Sequence, residues 1–317
     1  MSKTPRNKSS RPNKDEPVEA SVLCATDLSP SSQQALHLAA ELAEAFDAKL
    51  LVVHALEIWD RRYDFLVGDL QERLTVQAKE KVVTELKRLG KTEAVPVEVL
   101  IRSGATIEQV LQVIVERQPK LLVIGCNGSP KPEETHLGGI AEELLRLSPV
   151  PVLIARPAPA PDLKKILCAL GGGPESKAAL EWALEIAARE KVGRITVVNT
   201  FNVPIGYLEA GMTYELARQK MLAIHQQDLE KLLAAYRGGP VEIHAHFEES
   251  PPTAGVLKTL EREQPDLLVV GSQQRSFLAA LLVGSVALRI VRHAKLPVLV
   301  VKSKKDKLGL LAALERL

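Results

Sequence analysis

The sequence predicts an α/β fold made of two tandem, doubly wound domains, each with a five-stranded parallel sheet. Three observations support this prediction. The length of 317 residues suits two domains of about 150 residues each. The second half of the chain repeats the first, and in both halves short apolar runs alternate with segments of helical periodicity. Hydrophobic residues make up 46% of the chain, so each half can bury its own core.

Three pairs of segments carry the repeat. The segment "VLCATDLSPSSQQAL" from Val22 aligns with "ILCALGGGPESKAAL" from Ile166, a shift of 144 residues. The segments "ERQPKLLVIG" and "EREQPDLLVVG" end at Gly125 and Gly271, and "SPVPVLIARP" matches "AKLPVLVVKS" near the end of each copy. The chain is therefore built from two copies of one unit.

The first copy shows strands and helices in alternation. The apolar run 22–25 predicts a buried strand, and Ser31 or Ser32 is expected to cap the helix that follows. Apolar residues of that helix recur at helical spacing, at Ala35, Leu38, Ala39, Leu42 and Phe46. Further strands are predicted at "KLLVVHAL", "VPVEVLI", "LLVIG" and "VPVLIA". Helices are predicted over about 69–89, over "TIEQVLQVIVER" and from about Gly139.

The second copy repeats this order. Its predicted strands are "KKILCAL", "RITVVNT", "VEIHAHF", "DLLVVG" and "PVLVV", and its helices include "ESKAALEWALEIAARE" and "GSVALRIVRHA". Apolar strands that alternate with helices predict a parallel sheet covered by helices on both faces. The domains are predicted to span 20–157 and 163–302, joined by a stiff linker that contains Pro157, Pro159 and Pro161.

The two ends of the chain lie outside the predicted domains. Residues 1–19 form a basic arm that is expected to be disordered, with docking on an acidic partner as the alternative. Residues 303–317 contain "KLGLLAALERL", which predicts an amphipathic helix. We expect that helix to dock on this protein or on a second copy rather than on a membrane.

Composition argues against several classes of protein. The net charge of +2 and the aromatic content of 3% argue against a dedicated nucleic-acid binder. No apolar stretch reaches the ~18 residues of a membrane span. The three cysteines, Cys24, Cys126 and Cys168, show no metal-ligand spacing and suit a reducing compartment. We therefore predict a cytoplasmic protein without membrane or nucleic-acid partners.

Two glycine-containing loops follow the fourth strands, where a doubly wound sheet binds ligands. The first copy reads "GCNGSPKPEETHLGG", and its glycines suit close backbone approach to a ligand: Gly125, Gly128, Gly138 and Gly139. A helix starts there, and its free N–H groups suit phosphate. The second copy has Gly271, Gly284 and Ser285 at matching positions, with Gln274 in place of the second glycine.

These segments resemble the universal stress protein family. The resemblance rests on "ATDLSPSSQQAL", "VVHALE", "GCNGSPKPEETHLGG" and above all "LLVGSVALRIVRHAKLPVLVV", and it covers about 20–157 and 163–302. It implies a nucleotide-binding α/β fold, like that of the adenine nucleotide α-hydrolases, that commonly dimerises. It also implies that binding members hold ATP through an aspartate after strand one, a residue ending strand two, and a Gly-x2-Gly-x9-Gly-Ser/Thr motif.

Carried onto the first copy, the resemblance implies an ATP site at Asp27, Ala55, Gly125, Gly128, Gly138 and Gly139. Gly139 departs from the family, which has Ser or Thr there. The second copy has Gly171 at the aspartate position and Thr200 at the end of strand two, so its weaker site is degenerate. Glu133 and Glu134 in the first copy's loop would repel phosphate unless Mg²⁺ intervenes.

The histidines on predicted strands are expected to have structural roles. His54, which ends an apolar strand, is expected to be a core or hydrogen-bonded residue rather than a ligand or base. His244 and His246 share one face of a strand, and no third metal ligand is evident beside them.

Two hypotheses follow. The first is a stress-response module that binds ATP, with Mg²⁺, in the first domain. The alternative is a scaffold that binds no nucleotide and contacts an unidentified protein partner. No P-loop, nucleophile elbow or zinc pattern is present, so we do not predict an enzyme. The resemblance implies a contact through the fifth strands, so Val152–Ala155 and 298–301 are expected to pair as a pseudo-dimer within one chain, and association of two chains stays open.

Overall fold

The computed structural model describes residues 20–57, 70–90, 94–128, 136–156, 163–272 and 284–302. The predicted basic arm, the proline linker and the carboxy-terminal helix lie outside these residues, as do Glu133, Glu134 and Gln274.

The first half contains five strands and four helices among the described residues. They are β1 (Ser21–Ala25), α1 (Pro30–Ala45), β2 (Lys49–Leu56), α2 (Leu70–Arg88), β3 (Val97–Ser103), α3 (Thr106–Arg117), β4 (Leu121–Gly125), α4 (Gly139–Leu147) and β5 (Val152–Ala155).

The second half repeats this order within its described part. Its elements are β6 (Ile166–Ala169), α5 (Pro174–Arg189), β7 (Arg194–Phe201), α6 (Tyr214–Leu233), β8 (Glu242–Glu249), α7 (Pro252–Glu263), β9 (Leu267–Ser272), α8 (Ser285–His293) and β10 (Val298–Lys302). Two short 3₁₀ turns, Ile205–Tyr207 and Ala234–Tyr236, flank α6.

All ten strands belong to one continuous sheet, in the order β3-β2-β1-β4-β5-β10-β9-β6-β7-β8. Each half is a parallel five-stranded sheet, as predicted. The halves meet where β5 and β10 pair antiparallel, with Val298 opposite Ile154. The predicted pairing of the fifth strands within one chain is therefore what the structure shows.

Helices cover both faces of the sheet because alternate strand residues point to opposite sides. Val22 and Cys24 of β1 lie in the cluster under α1 and α5, whereas Leu23 lies in the cluster under α3, α4 and α8. Each cluster draws residues from both halves, so the two cores continue across the β5–β10 junction. Burial raises the pKa of the Cys24 thiol far above its ordinary value and keeps it protonated.

The start of α1 differs from the sequence prediction. Its N-cap is Ser29 rather than Ser31 or Ser32, and the Ser29 side chain accepts a hydrogen bond from the Ser32 amide at 3.3 Å. Pro30 occupies the first helical position, where its missing N–H costs nothing. The proline sets the helix start one residue after Ser29, which leaves Ser32 inside the first turn.

A reciprocal pair of buried cations ties the halves together. Arg156, which follows β5, is 1% exposed and donates to the carbonyl of Val291 in α8. Lys302 ends β10, and its Nζ donates to the carbonyls of Arg146 at 2.7 Å and Ser148 at 2.6 Å. Each cation therefore meets the negative end of the last helix of the opposite half.

A carboxylate also lies across the junction. Arg146 and Arg292 hold equivalent positions in the two copies, and both bind Glu142, at 2.8 Å and 2.7 Å. The equivalent of Glu142 in the second copy is Leu288, so this part of the interface is asymmetric.

The other face of the junction is aromatic. Phe46 and Trp182 make an edge-to-face contact with ring centroids 5.9 Å apart, and the Lys120 ammonium lies 4.5 Å from the centre of the Phe46 ring.

Candidate functional site

A cleft of about 240 Å³ opens at the carboxyl ends of β1 and β4, where the strand order of the first half reverses. All six residues predicted for the first domain line it: Asp27, Ala55, Gly125, Gly128, Gly138 and Gly139. The structure therefore brings together residues from four different segments that are up to 112 positions apart in sequence.

Asp27 supplies the negative charge at one wall of the cleft. Its Oδ1 accepts a hydrogen bond from the Ser29 amide at 2.9 Å, and the side chain is exposed. A Cβ atom at Gly128 would lie 2.7 Å from Asp27 Oδ2. A side chain at position 128 would therefore displace this carboxylate from its place in the cleft.

A small polar network holds the Asp27 loop in place. Thr26, 8% exposed, donates through Oγ1 to Ser32 Oγ at 2.9 Å and accepts at the same oxygen from the Leu28 amide at 3.0 Å. His54 Nδ1 lies 2.7 Å from the Thr26 carbonyl, so that nitrogen carries the proton. The expectation of a hydrogen-bonded structural histidine at position 54 agrees with this contact.

Leu28 follows Asp27 with a left-handed backbone, at a φ of 64°. This conformation is disfavoured for a residue with a Cβ atom, and such strain is common at ligand-binding loops.

The opposite wall of the cleft is the start of α4. Gly138 is its N-cap, has a φ of −72° and offers no side chain to the helix amides. The Gly138 amide itself donates to the Cys126 carbonyl at 2.8 Å, which fixes the loop end against β4. A Cβ atom at Gly139 would meet nothing within 4 Å, so this position faces open space. The first turn of α4 thus presents amides and the positive helix end to the cleft.

Near Ala55, hydrogen bonds link the residue after β2 to the start of α3. Glu57 Oε1 accepts from the hydroxyl of Thr106 at 2.6 Å and from its amide at 3.3 Å. Ala55 is small and partly exposed, so the end of β2 leaves the cleft accessible.

The same edge of the second half is arranged differently. Gly271 lies near the end of β9, and Gly284 and Ser285 lie at the start of α8, as their sequence positions predict. Ser285 is exposed. However, the side chain of Glu175 from α5 is 5% exposed and lies against the loop glycines. A Cβ atom at Gly271 would lie 2.7 Å from Glu175 Cγ. The Glu175 side chain therefore occupies the space beside Gly171 and Gly271, whose first-domain equivalents Asp27 and Gly125 line the cleft.

Comparison with known proteins identifies the family. A family model described as "Universal stress protein family" matches twice, over residues 20–156 and 162–302. The chain belongs to the universal stress protein family. A universal stress protein of Mycolicibacterium smegmatis is 26% identical over 305 residues, which cover 90% of this chain and 98% of that protein. One from Methanocaldococcus jannaschii is 31% identical over 143 residues, 45% of this chain and 84% of its own.

Solved structures share the whole tandem fold. A universal stress protein from Archaeoglobus fulgidus aligns with a TM-score of 0.67 at 19% identity, covering 89% of this chain and 98% of its own. A putative universal stress protein from Pseudomonas aeruginosa aligns with a TM-score of 0.64 at 18% identity, covering 94% and 98%. At these identities the likeness concerns the fold alone.

Neither universal stress protein domain shows a metal cluster in its described residues. No group of three or more His, Cys, Asp or Glu side chains could hold a metal ion there. His246 instead pairs with Glu248, Nε2 to Oε2 at 3.1 Å. Among the helices of the described chain, none is both long and apolar enough to cross a membrane.

Sequence reasoning missed Glu175 and the buried pair of Thr26 and Ser32. The signal for Glu175 was its position, since it is an acid in the first turn of a helix that directly follows "GGGP". Its inward direction was not readable from the pattern, because an acid in a first helical turn usually points to solvent.

Proposed function

We propose that the first universal stress protein domain binds ATP and that the second domain leaves its own site unoccupied. The chain would then be a stress-response module with one nucleotide site. A single observation carries this proposal: one cleft joins the exposed carboxylate of Asp27 to the uncapped start of α4.

The two walls of the cleft suit the two ends of a nucleotide. A carboxylate accepts hydrogen bonds from hydroxyl or amino groups, so Asp27 fits the nucleoside end. The Gly139 amide, with the positive end of α4, fits the phosphates. Mg²⁺ would enter bound to those phosphates, since Mg²⁺ in nucleotide sites is held largely by phosphate and water oxygens.

We propose binding without catalysis. Thr26 Oγ1 donates to Ser32 Oγ, and Ser32 Oγ donates to the Ser29 carbonyl at 2.9 Å. The hydroxyls of Thr26 and Ser32 are thus engaged in holding the loop, and the proton of His54 Nδ1 is donated to the Thr26 carbonyl. The third hydroxyl of the described lining, that of Thr106, donates to Glu57 Oε1 in the link between β2 and α3, so each of these hydroxyls serves a structural contact.

The three cysteines are free and buried, which suits a reducing compartment. On this ground we propose that the module acts in the cytoplasm.

Calorimetric titration of ATP with Mg²⁺ tests the proposal on full-length protein stripped of co-purified nucleotide. We expect one site per chain in the wild type and its loss in Gly128→Arg, because the new side chain would fill the space beside Asp27. Gly284→Arg, a glycine-to-arginine change at the start of α8 in the second domain, is the control and should keep the site.

Three results would contradict the proposal. They are the absence of heat at millimolar ATP, binding that survives Gly128→Arg, and loss of binding in Gly284→Arg alone. Orthophosphate release above that of Gly128→Arg would contradict the absence of catalysis.

A scaffold without nucleotide is the second candidate, and the continuous ten-stranded sheet favours it. The β5–β10 pairing and the buried Arg156 and Lys302 make a rigid two-domain body that could present surfaces without any ligand. A protein that captures a partner equally well with wild-type and Gly128→Arg clefts, and binds no ATP, would be such a scaffold.

A further inference from the structure

We propose that Glu175 is the residue that excludes anionic ligands from the second domain. This inference rests on the proposed function only for the kind of ligand, an anion such as ATP, that the first domain's cleft binds. One buried carboxylate would then explain why the ligand binds the first domain and not the second.

The position of Glu175 carries the first step. Its side chain lies among three backbone positions of the second domain: Gly171, Gly173 and Gly271. Cβ atoms built there would lie 3.9 Å from Glu175 Oε1, 2.7 Å from Cδ and 2.7 Å from Cγ, respectively. By alignment these positions match Asp27, Ser29 and Gly125, and two of the three line the open cleft of the first domain.

The charge of Glu175 is the second reason for the proposal. Glu175 stands in the first turn of α5, where a negative charge is stabilised by the helix dipole. A ligand that entered the second domain as in the first cleft would meet Glu175 at the wall equivalent to Asp27. Asp27 is exposed to solvent, whereas Glu175 is 5% exposed, so an anion beside Glu175 would be repelled with less screening by water. The carboxylate therefore blocks the position both by volume and by charge.

The loop amides of the second domain are engaged as well. Ser176 Oγ accepts from the amides of Gly171 at 3.2 Å and Gly172 at 3.1 Å. In the first domain the equivalent Ser32 oxygen instead receives the Thr26 hydroxyl. The second loop is thus drawn toward α5, which brings the three glycines around the Glu175 side chain.

The residue at the equivalent position of the first domain is Ser31, so Glu175→Ser is the natural opening variant. The probe is inorganic tripolyphosphate, with ATP as a second arm. We expect Glu175→Ser to gain one site per chain relative to the wild type, with affinity for tripolyphosphate at that site at least about tenfold above wild-type background. Because Gly171 replaces the aspartate of the first domain, ATP should bind the new site no better than tripolyphosphate.

The gain is counted relative to the wild type, so this test is independent of the first domain. If the first domain binds ATP, the count rises from one to two; if the first domain binds nothing, it rises from zero to one. Glu261→Ser, which removes an exposed carboxylate from α7, is the charge-matched control and should gain no site.

A folded Glu175→Ser protein that gains no site would overturn the inference, and so would an equal gain in Glu261→Ser. Hydrogen exchange on the wild type supplies a second reading that needs no variant. Adding tripolyphosphate or ATP should leave exchange in residues 166–180 unchanged, and protection there would show that Glu175 does not exclude the anion.

Discussion

The two domains share a fold but treat a carboxylate in opposite ways. In the first domain Asp27 sits in the loop after β1, exposed at the wall of an open cleft. In the second domain the aspartate position is Gly171, and the acid comes from Glu175, four positions further along the aligned sequence and 5% exposed. The first domain thus has an open cleft beside an exposed loop carboxylate, and the second has a buried helix carboxylate at the matching positions.

Other replacements preserve the framework while the site changes. His54 of β2 and Asn199 of β7 are equivalent, and each donates to the carbonyl of the residue after the first strand of its domain, Thr26 at 2.7 Å and Leu170 at 2.9 Å. The two copies thus share the contact that holds the loop and differ in the side chains at the adjoining sheet edge, Asp27 against Gly171.

The backbone conformation of the loop is also the same in both domains, but the backbone strain differs. Leu28 and Gly172 are equivalent, and both have a left-handed backbone, with φ values of 64° and 90°. Only the first domain bears the strain of a side chain at this position, which is next to Asp27.

The largest expected effect tests whether both halves depend on the same junction. Arg156→Ala should lower the free energy of unfolding by about 3 kcal/mol, because it leaves a cavity and a buried carbonyl of Val291 without its donor. Urea denaturation measures this loss.

Lys302→Ala, the equivalent change, should cost a similar amount if the junction is symmetric. Arg102→Ala is the control, since Arg102 makes a surface ion pair with Glu116 and should cost less than about 1 kcal/mol. A loss for Arg156→Ala no larger than that of Arg102→Ala would show that the junction does not rest on the buried cations.

The next effect sharpens the contrast between open and filled sites. Gly271→Ala should destabilise the protein by about 2 kcal/mol, because the new methyl would lie 2.7 Å from Glu175 Cγ and 3.1 Å from the Glu175 carbonyl oxygen. Thermal unfolding at fixed pH measures the loss.

Gly139→Ala, whose methyl meets nothing within 4 Å, is the matched control and should change stability by less than about 0.5 kcal/mol. Adding Glu175→Ser to Gly271→Ala should recover part of the loss. Equal stabilities for Gly271→Ala and Gly139→Ala would refute the close contact between Glu175 and Gly271.

A smaller effect concerns the asymmetric ion pair at the junction. Hydrogen bonds from Arg146 and Arg292 hold the pKa of Glu142 below its usual range. A lowered folded-state pKa stabilises the protein above the ordinary glutamate pKa, and this contribution disappears as the pH falls through the lowered value. Acidification from pH 7 to pH 3 should therefore cost the wild type about 1 kcal/mol more than Glu142→Gln.

Denaturation of both proteins at the two pH values gives this difference. Glu143→Gln, an exposed neighbour on α4, should lose as much stability as the wild type. If Glu142→Gln also loses as much, the ion pair does not stabilise the junction.

The smallest effect restores a family feature to the open site. Gly139→Ser supplies the hydroxyl that the family carries at this position, and its side chain would enter empty space. One added hydrogen bond to phosphate is worth about 1 kcal/mol, so ATP affinity should rise about fivefold. Gly139→Ala, which adds bulk without a donor, should leave the Kd unchanged; an equal gain in both variants would exclude the hydroxyl as the cause.

Much of the architecture was predictable from the sequence. Both five-stranded sheets followed from apolar runs and their repetition, whereas the pairing of Val152–Ala155 with the last strand was implied by the family resemblance. Local details were less secure, since Ser29 rather than Ser31 or Ser32 caps α1. Several serines in succession offered equivalent hydroxyls, and only the helix start chosen by Pro30 separates them.

The sequence by itself determined the duplicated α/β fold, because strand and helix periodicities are local and are written twice in this chain. It also placed Asp27 and the four glycines at the edge where parallel strands end. Only the tertiary structure decided which of the two edges is open. That decision depends on where the side chain of Glu175 points, and its direction follows from the packing of α5 against Gly271.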